Sequence, residues 1–291
     1  MIKTLRSTLV WPGNKTKLYL TLDNYLPKES FNIFVDPFVG AGGFAYNFLK
    51  SRVLKEVYLN DLKEDIVNYH NILKNDHIWL YNNLIEFQSL YLPLSLPERH
   101  EVFNSMRDDF NRETDKNERV ILLCILQRLS YNGKFSENND KKYNSTFNYD
   151  EGTVTFCDYQ SICLQHGILN RSEIFLTNLD YKYLLKTLDD TKAKNTFIFF
   201  DPPYDGSHIK YGKEKKSLQE ELCAIMHDLD KKGYKLLMLN HYNENTLEMY
   251  KANFNIKSLK RNTFLGSSTA KKLKGDQGEI AYKEIIIRNY Q

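Results

Sequence analysis

The segment that most constrains this chain is Asn195-Thr196-Phe197-Ile198-Phe199-Phe200, followed at once by Asp201-Pro202-Pro203-Tyr204. A short apolar run bounded by polar residues reads as a buried parallel strand. The tetrapeptide then sits where that strand ends, which is where ligand chemistry gathers in open α/β sheets. Two prolines hold the backbone extended and leave carbonyls without competing local amide donors. Asp201 adds a carboxylate and Tyr204 an aromatic face. Together these suit a planar heterocycle carrying an exocyclic amine, with acceptors for the N–H groups and a ring for stacking. The same four residues also read as a plain proline-stiffened loop.

A second run, Phe31 to Asp36, leads into Asp36-Pro37-Phe38-Val39-Gly40-Ala41-Gly42-Gly43 and then an apolar stretch to Leu49. Strand, glycine turn and helix in that order form the nucleotide-binding βα unit. Tyr46 stands where a dinucleotide site keeps a third glycine, which argues against a pyrophosphate. About twenty residues on, Glu56 to Asn60 reads as a strand ending in Asp61, placed to take a ribose diol or, equally, to cap the helix that starts near Asp65. Ile174 to Tyr181 reads as another strand, delivering Asp180 and Tyr181. Further strands are expected at Gly233–His241, Ile256–Phe264 and Tyr282–Arg288, the last two as a hairpin around a mobile basic tip, Gly266 to Gly278, with Lys271, Lys272 and Lys274.

Near the start, Trp11-Pro12-Gly13-Asn14-Lys15 is a turn expected to open a helix through Leu26. Trp11 and Lys15 are candidates to touch a ligand, or else a core indole and a solvated lysine. Leu62 to Arg128 carries helical spacing, broken at Pro93 to Pro97. His70, His77 and His100 lie there without ligand spacing and read as surface or core histidines. Arg128 to Gly152 turns polar and aromatic, with amides and hydroxyls that suit base edges and phosphates as well as an ordinary loop.

Composition narrows the class. A net charge of +3 leaves any nucleic-acid footprint to local clustering. The four cysteines lack metal-ligand or disulfide spacing, so a reduced, metal-free protein is expected. No apolar stretch approaches the ~18–20 residues that span a bilayer, and the expectation is a cytoplasmic protein. A nicotinamide oxidoreductase would explain the glycine loop and Asp61 but gives Asp201 to Tyr204 no role.

Taken in order, these motifs resemble the Dam-like (D12 class, alpha-group) DNA N6-adenine methyltransferases over nearly the whole chain. Trp11 to Lys15 is similar to the opening cofactor motif, Asp36 to Gly42 to the glycine loop and Asn60-Asp61 to the ribose acid. Asp180-Tyr181 matches the adenine cradle, Asp201 to Tyr204 the catalytic motif, and Leu239-Asn240-His241 and the final strand their counterparts. The resemblance implies a Rossmann-like, S-adenosylmethionine-dependent α/β methyltransferase fold with an inserted, mainly helical DNA-recognition lobe. The expected division is 1–65 with 170–291 for cofactor and catalysis and 66–169 for recognition. It implies cofactor contacts from Trp11, Lys15, Asp36, Pro37, Phe38, Gly40, Gly42, Asp61, Asp180, Tyr181 and Asp201, and catalysis by Asp201, Pro202, Pro203 and Tyr204. The implied partners are double-stranded DNA and a cognate restriction endonuclease. Transfer to RNA adenine or cytosine N4, or a silent cofactor-sensing DNA binder, are the alternatives.

In the recognition segment Tyr131-Asn132-Gly133, Asn138, Asn144 and Phe147 match the family pattern. Ser136 stands in place of its arginine, and Thr146 and Asn148 replace its proline and glycine. Arginine is the commonest reader of guanine, so the site is expected not to be simply GATC. Arg128, Lys134, Lys141 and Lys142 are the nearest substitutes, Lys134 foremost. Tyr211, Lys271 and Lys272 are further DNA-contact candidates.

Overall fold

The computed structural model describes residues 4–150, 152, 154–171, 173–203, 217–242, 244–260 and 283–291. In chain order the elements are α1 (Tyr19–Leu22), β1 (Ile33–Asp36), α2 (Gly43–Leu49), β2 (Glu56–Asn60), α3 (Glu64–Asn75), α4 (His77–Tyr91), α5 (Leu96–Phe110) and α6 (Lys116–Leu129). They continue with α7 (Tyr159–Leu169), β3 (Glu173–Thr177), α8 (Tyr181–Thr187), β4 (Thr196–Phe200), α9 (Leu218–Lys232), β5 (Lys235–His241), α10 (Glu244–Tyr250), β6 (Asn255–Lys260) and β7 (Lys283–Arg288). The chain forms two compact units, residues 1–25 with 38–187 and residues 26–37 with 188–291. The expected recognition lobe, 66–169, falls wholly inside the first unit, together with Gly40, Gly42 and Gly43.

In the first unit β2 and β3 pair in parallel, from Glu56 opposite Glu173 to Asn60 opposite Thr177. The whole run α3 to α7 is the connection between them, so the helical lobe is an insertion in a parallel crossover. Its helices start where the sequence supplies caps. Asp76 accepts from Trp79 N–H in the first turn of α4, Asp115 from Asn117 and Glu118 N–H in that of α6, and Ser95 with Glu98 forms a capping box on α5 with Pro97 in its first turn. Arg119 of α6 holds both carboxylate oxygens of Asp65 on α3 at 2.9 and 2.8 Å and lies over the Phe110 ring. Each partner is only about a quarter exposed, which makes this fork more than a screened surface pair.

The second unit is a five-stranded sheet in the order β1-β4-β5-β7-β6. β1, β4 and β5 run parallel, and β7 is antiparallel to both β5 and β6. Every residue of β1 and of β4 is buried, as the continuous apolar runs require. α9 makes the crossover from β4 to β5. It opens on a Ser217–Glu220 capping box and closes at Gly233, whose φ of +91° ends the helix.

One early element differs from expectation. The helix predicted from the Pro12-Gly13 turn to Leu26 shrinks to α1 and one 3₁₀ turn, Asp23–Tyr25. Asn14 Oδ1 accepts from both the amide and the hydroxyl of Thr16, and this local turn competes with helix up to Lys17.

Candidate active site

Glycine geometry shapes the first unit's glycine loop. Gly40 has φ +50° and Gly42 φ +76°, which side-chain-bearing residues seldom adopt. A Cβ on Gly42 would meet the Tyr46 ring at 2.4 Å, and one on Gly43 would meet Asn14 Oδ1 at 1.8 Å. The bulk at Tyr46, which replaces a third glycine, is therefore accommodated by the glycine four residues before it.

Three bonds fix the loop to what surrounds it. Val39 N–H donates to Asn60 O at 2.8 Å, Gly40 N–H to Asp61 Oδ2 at 3.1 Å, and His70 Nε2–H to Gly40 O at 2.7 Å. A carbonyl only accepts, so Nε2 of His70 carries the proton and Nδ1 accepts from the Tyr46 hydroxyl at 2.5 Å. Burial pushes His70 down to about 4 and Tyr46 well up from its ordinary value, so both are neutral at pH 7. Of the two expectations, surface or core, His70 is a core histidine, and one that props the glycine loop. Its sequence neighbourhood carries no sign of this, because both partners lie at least 24 residues away.

Asp61 ends β2 with its carboxylate engaged at both oxygens, Oδ2 by Gly40 N–H and Oδ1 by Lys63 N–H at 2.9 Å. Burial raises its pKa, and the amides of Lys63 and Gly40 and the Lys63 charge act the other way. With the Leu62 amide also acting on it, the carboxylate has three amide donors for about four lone-pair sites, which leaves room for a further donor. Beside it, the buried Asn60 side chain bonds Leu179 O, Leu179 N–H and the Thr177 hydroxyl, bracing the turn that presents Asp180 and Tyr181. Asp180 accepts from Lys182 N–H at the start of α8, and the Tyr181 ring lies 5.1 Å from that of Phe38. Trp11 packs over Gly40, where an added Cβ would approach its Cδ1 to 3.0 Å. Lys15 is only 3% exposed, with Nζ donating to Gly13 O, which removes the solvated-lysine alternative.

In the second unit the neighbouring parallel strands β1 and β4 each run into an Asp-Pro pair at their carboxyl ends, Asp36-Pro37 and Asp201-Pro202-Pro203. Asp36 is buried, Pro202 is buried and Asp201 is half-buried. Tyr204 and Tyr211 lie outside the described residues, as do Lys271, Lys272 and Lys274.

The polar segment after α6 is a hairpin rather than an irregular loop. Bridges Ser130–Phe147 and Glu137–Tyr143 close it, and Tyr131 N–H donates to Thr146 O. Tyr143, Ser145 and Phe147 turn inward while Asn144 and Thr146 face out with Asn132, Lys134 and Asn138. The Tyr-Asn-Gly turn needs its residue types: Asn132 has φ +55°, and a Cβ on Gly133 would meet Val10 at 2.5 Å. Ser136 is drawn in, its amide donating to Ser145 Oγ at 2.9 Å. Arg128 corrects an expectation. Its guanidinium donates to Thr8 O at 2.8 Å and Phe156 O at 3.5 Å, so it ties the chain's start to the lobe instead of facing DNA.

Among the described residues no group of three or more histidine, cysteine, aspartate or glutamate side chains could hold a metal, and no helix is long and apolar enough to cross a membrane. A family model described as D12 class N6 adenine-specific DNA methyltransferase matches residues 11–264. Among similar proteins, Type II methyltransferase M.MjaIII of Methanocaldococcus jannaschii is 27% identical, with 97% of this chain and 98% of that protein covered. Type II methyltransferase M1.LlaDCHI of Lactococcus lactis subsp. cremoris is 24% identical (98% and 96% covered), and the DNA adenine methylase of Escherichia coli is 26% identical (98% of each).

Proposed function

Because the chain belongs to the D12 class of N6 adenine-specific DNA methyltransferases, it methylates adenine in DNA, and we propose that the donor is S-adenosylmethionine and that Asp201 and Pro202 carry the chemistry. The observation that carries this reading is the position of Asp201-Pro202-Pro203 directly after the fully buried β4. A rigid, acceptor-rich edge at a strand's carboxyl end is what an exocyclic amine needs.

The residues of the first unit fit the donor. Gly40 and Gly42 keep a loop open that a Cβ would fill against Trp11 or Tyr46. Asp61 has acceptor capacity left for a ribose diol, and the Phe38–Tyr181 ring pair, flanked by Asp180, offers an apolar surface for an adenine ring. In this reading Trp11 and Lys15 complete the contacts of this unit. When bound, S-adenosylmethionine supplies an electrophilic methyl group on a sulfonium sulfur.

Adenine N6 is a weak nucleophile because its lone pair is delocalised into the ring, and in a duplex it is hidden within the stack. The base is flipped out. The Asp201 carboxylate and the Pro202 carbonyl then accept its two N6–H bonds, which favours a pyramidal nitrogen with its lone pair aimed at the methyl group. With the donor bound, the N6–C bond would form as the sulfonium S–C bond breaks to leave S-adenosylhomocysteine, and Asp201 would receive the N6 proton or pass it to solvent. Tyr204, next in the chain, is the stacking ring. Positioning and preorganised electrostatics supply the rate, with no covalent intermediate.

Residues 131–148 are the recognition surface in this reading, with Lys134 beside the Tyr-Asn-Gly turn and Ser136 turned away, so the site is not simply GATC. The protein works on DNA in the cytoplasm, and a cognate restriction endonuclease is its proposed partner, a pairing supported by two relatives named Type II methyltransferases. The test is Asp201→Ala, assayed for tritiated methyl transfer to duplex DNA and for duplex binding. Transfer should vanish while binding persists. Transfer within about tenfold of wild type, ~1.4 kcal/mol of barrier, would remove Asp201 from the chemistry.

A further inference from the structure

Within the first unit, the glycine loop and the recognition hairpin are joined by a closed circuit of contacts. Gly40 and Lys63 both donate their backbone N–H to the Asp61 carboxylate, at 3.1 and 2.9 Å. The Lys63 ammonium reaches the hairpin, 2.8 Å from Glu137 Oε1 and 4.5 Å from the centroid of the Phe135 ring. Phe135 lies against Trp11 with ring centroids 4.9 Å apart, and Trp11 returns to Gly40, where even a Cβ would be crowded at 3.0 Å.

An exposed lysine–glutamate pair contributes little by itself. Here the same ammonium also sits over an aromatic face, and its backbone is held by the carboxylate that holds the glycine loop. We propose that Lys63 and Phe135 are positioning residues that couple methyl-donor binding in the glycine loop to DNA binding by the hairpin, so that each ligand tightens the other. This rests on the reading that Gly40 and Asp61 hold the donor and that the hairpin faces DNA.

The physical route runs both ways. A donor bonded to Asp61 fixes the Lys63 backbone, which restricts where its ammonium can meet Glu137 and Phe135. DNA that fixes the hairpin holds Phe135, and with it the Trp11 wall over Gly40. Ordering imposed by the first ligand is not required again of the second, and the coupling is reciprocal by linkage.

The experiment measures affinity for S-adenosylhomocysteine, which cannot react, with and without a saturating duplex carrying the site that the wild type methylates. Wild type should bind it at least about fivefold more tightly with DNA present. Lys63→Ala and Phe135→Leu should bring that ratio to within about twofold of one, and Lys63→Arg should retain it. Glu137→Gln, at the exposed end of the circuit, should lower it without disturbing the fold. A role in packing alone would shift both affinities together and leave the ratio as it was. A wild-type ratio near one, or an unchanged ratio in Lys63→Ala and Glu137→Gln, overturns the coupling. Wild type that binds no S-adenosylhomocysteine either with or without DNA overturns the donor reading and the coupling with it.

Discussion

Replacing His70 by glutamine tests the prop beneath the glycine loop. Glutamine can donate to Gly40 O and accept from the Tyr46 hydroxyl, but it does not titrate. His70 is fully buried and stays neutral down to about pH 4 in the folded protein, whereas in the unfolded chain it protonates near its ordinary pKa of about 6.5. Between those values the unfolded state binds the extra proton, so stability falls as pH is lowered and is fully present above about 6.5. A gap of about 2.5 pH units at ~1.4 kcal/mol per unit makes about 3 kcal/mol lost from pH 6.5 to 4. Every other group titrates alike in wild type and His70→Gln, so the difference between their stabilities isolates this contribution. Urea unfolding at several pH values from about 4.5 to about 7.5 should show wild type gaining on the variant as pH rises, then levelling off. Parallel stability curves would mean that His70 is protonated or solvated in the folded protein, and the buried Gly40–His70–Tyr46 chain would be wrong.

Asp61→Ala removes a carboxylate that binds backbone amides and, as proposed, the donor's ribose. A charged hydrogen bond of that kind contributes roughly 1.5–3 kcal/mol, so calorimetry should find S-adenosylmethionine bound about ten- to a hundredfold more weakly; unchanged affinity excludes the assignment. Because burial raises the Asp61 pKa, donor affinity in the wild type should begin to fall, as pH is lowered, before the ordinary aspartate range near about 3.9 is reached. Lys134→Ala should relax preference at one base pair by about 1–3 kcal/mol, read by sequencing methylated adenines; uniform GATC methylation by both proteins would refute that role and the inference from Ser136. Replacing Lys271, Lys272 and Lys274 together should weaken binding equally on all sequences and flatten its salt dependence by up to ~0.9 for each phosphate no longer neutralised, whereas an unchanged slope leaves those lysines without a DNA role.

The strands and turns were legible because their signals are local. A buried parallel strand needs an unbroken apolar run, and Ile33–Asp36 and Thr196–Phe200 are such runs, each leading into an Asp-Pro pair. Glycines mark places where the backbone takes positive φ, as at Gly40 and Gly42. The sequence by itself therefore determined the α/β class, the ends of the strands that carry the candidate chemistry and the insertion between β2 and β3. What it could not contain is the choice of partner over long separations. Arg128 looked like a DNA contact from its neighbours, yet its guanidinium bonds to Thr8, 120 residues earlier, and to Phe156. Ser136 and Ser145 meet only because the hairpin folds back on itself. His70 carries no motif and becomes the support of Gly40 because α3 packs beneath that loop. Period and turn chemistry are set within a few residues, whereas a buried polar group is satisfied by whatever the completed packing brings to it, and only the tertiary structure decides that.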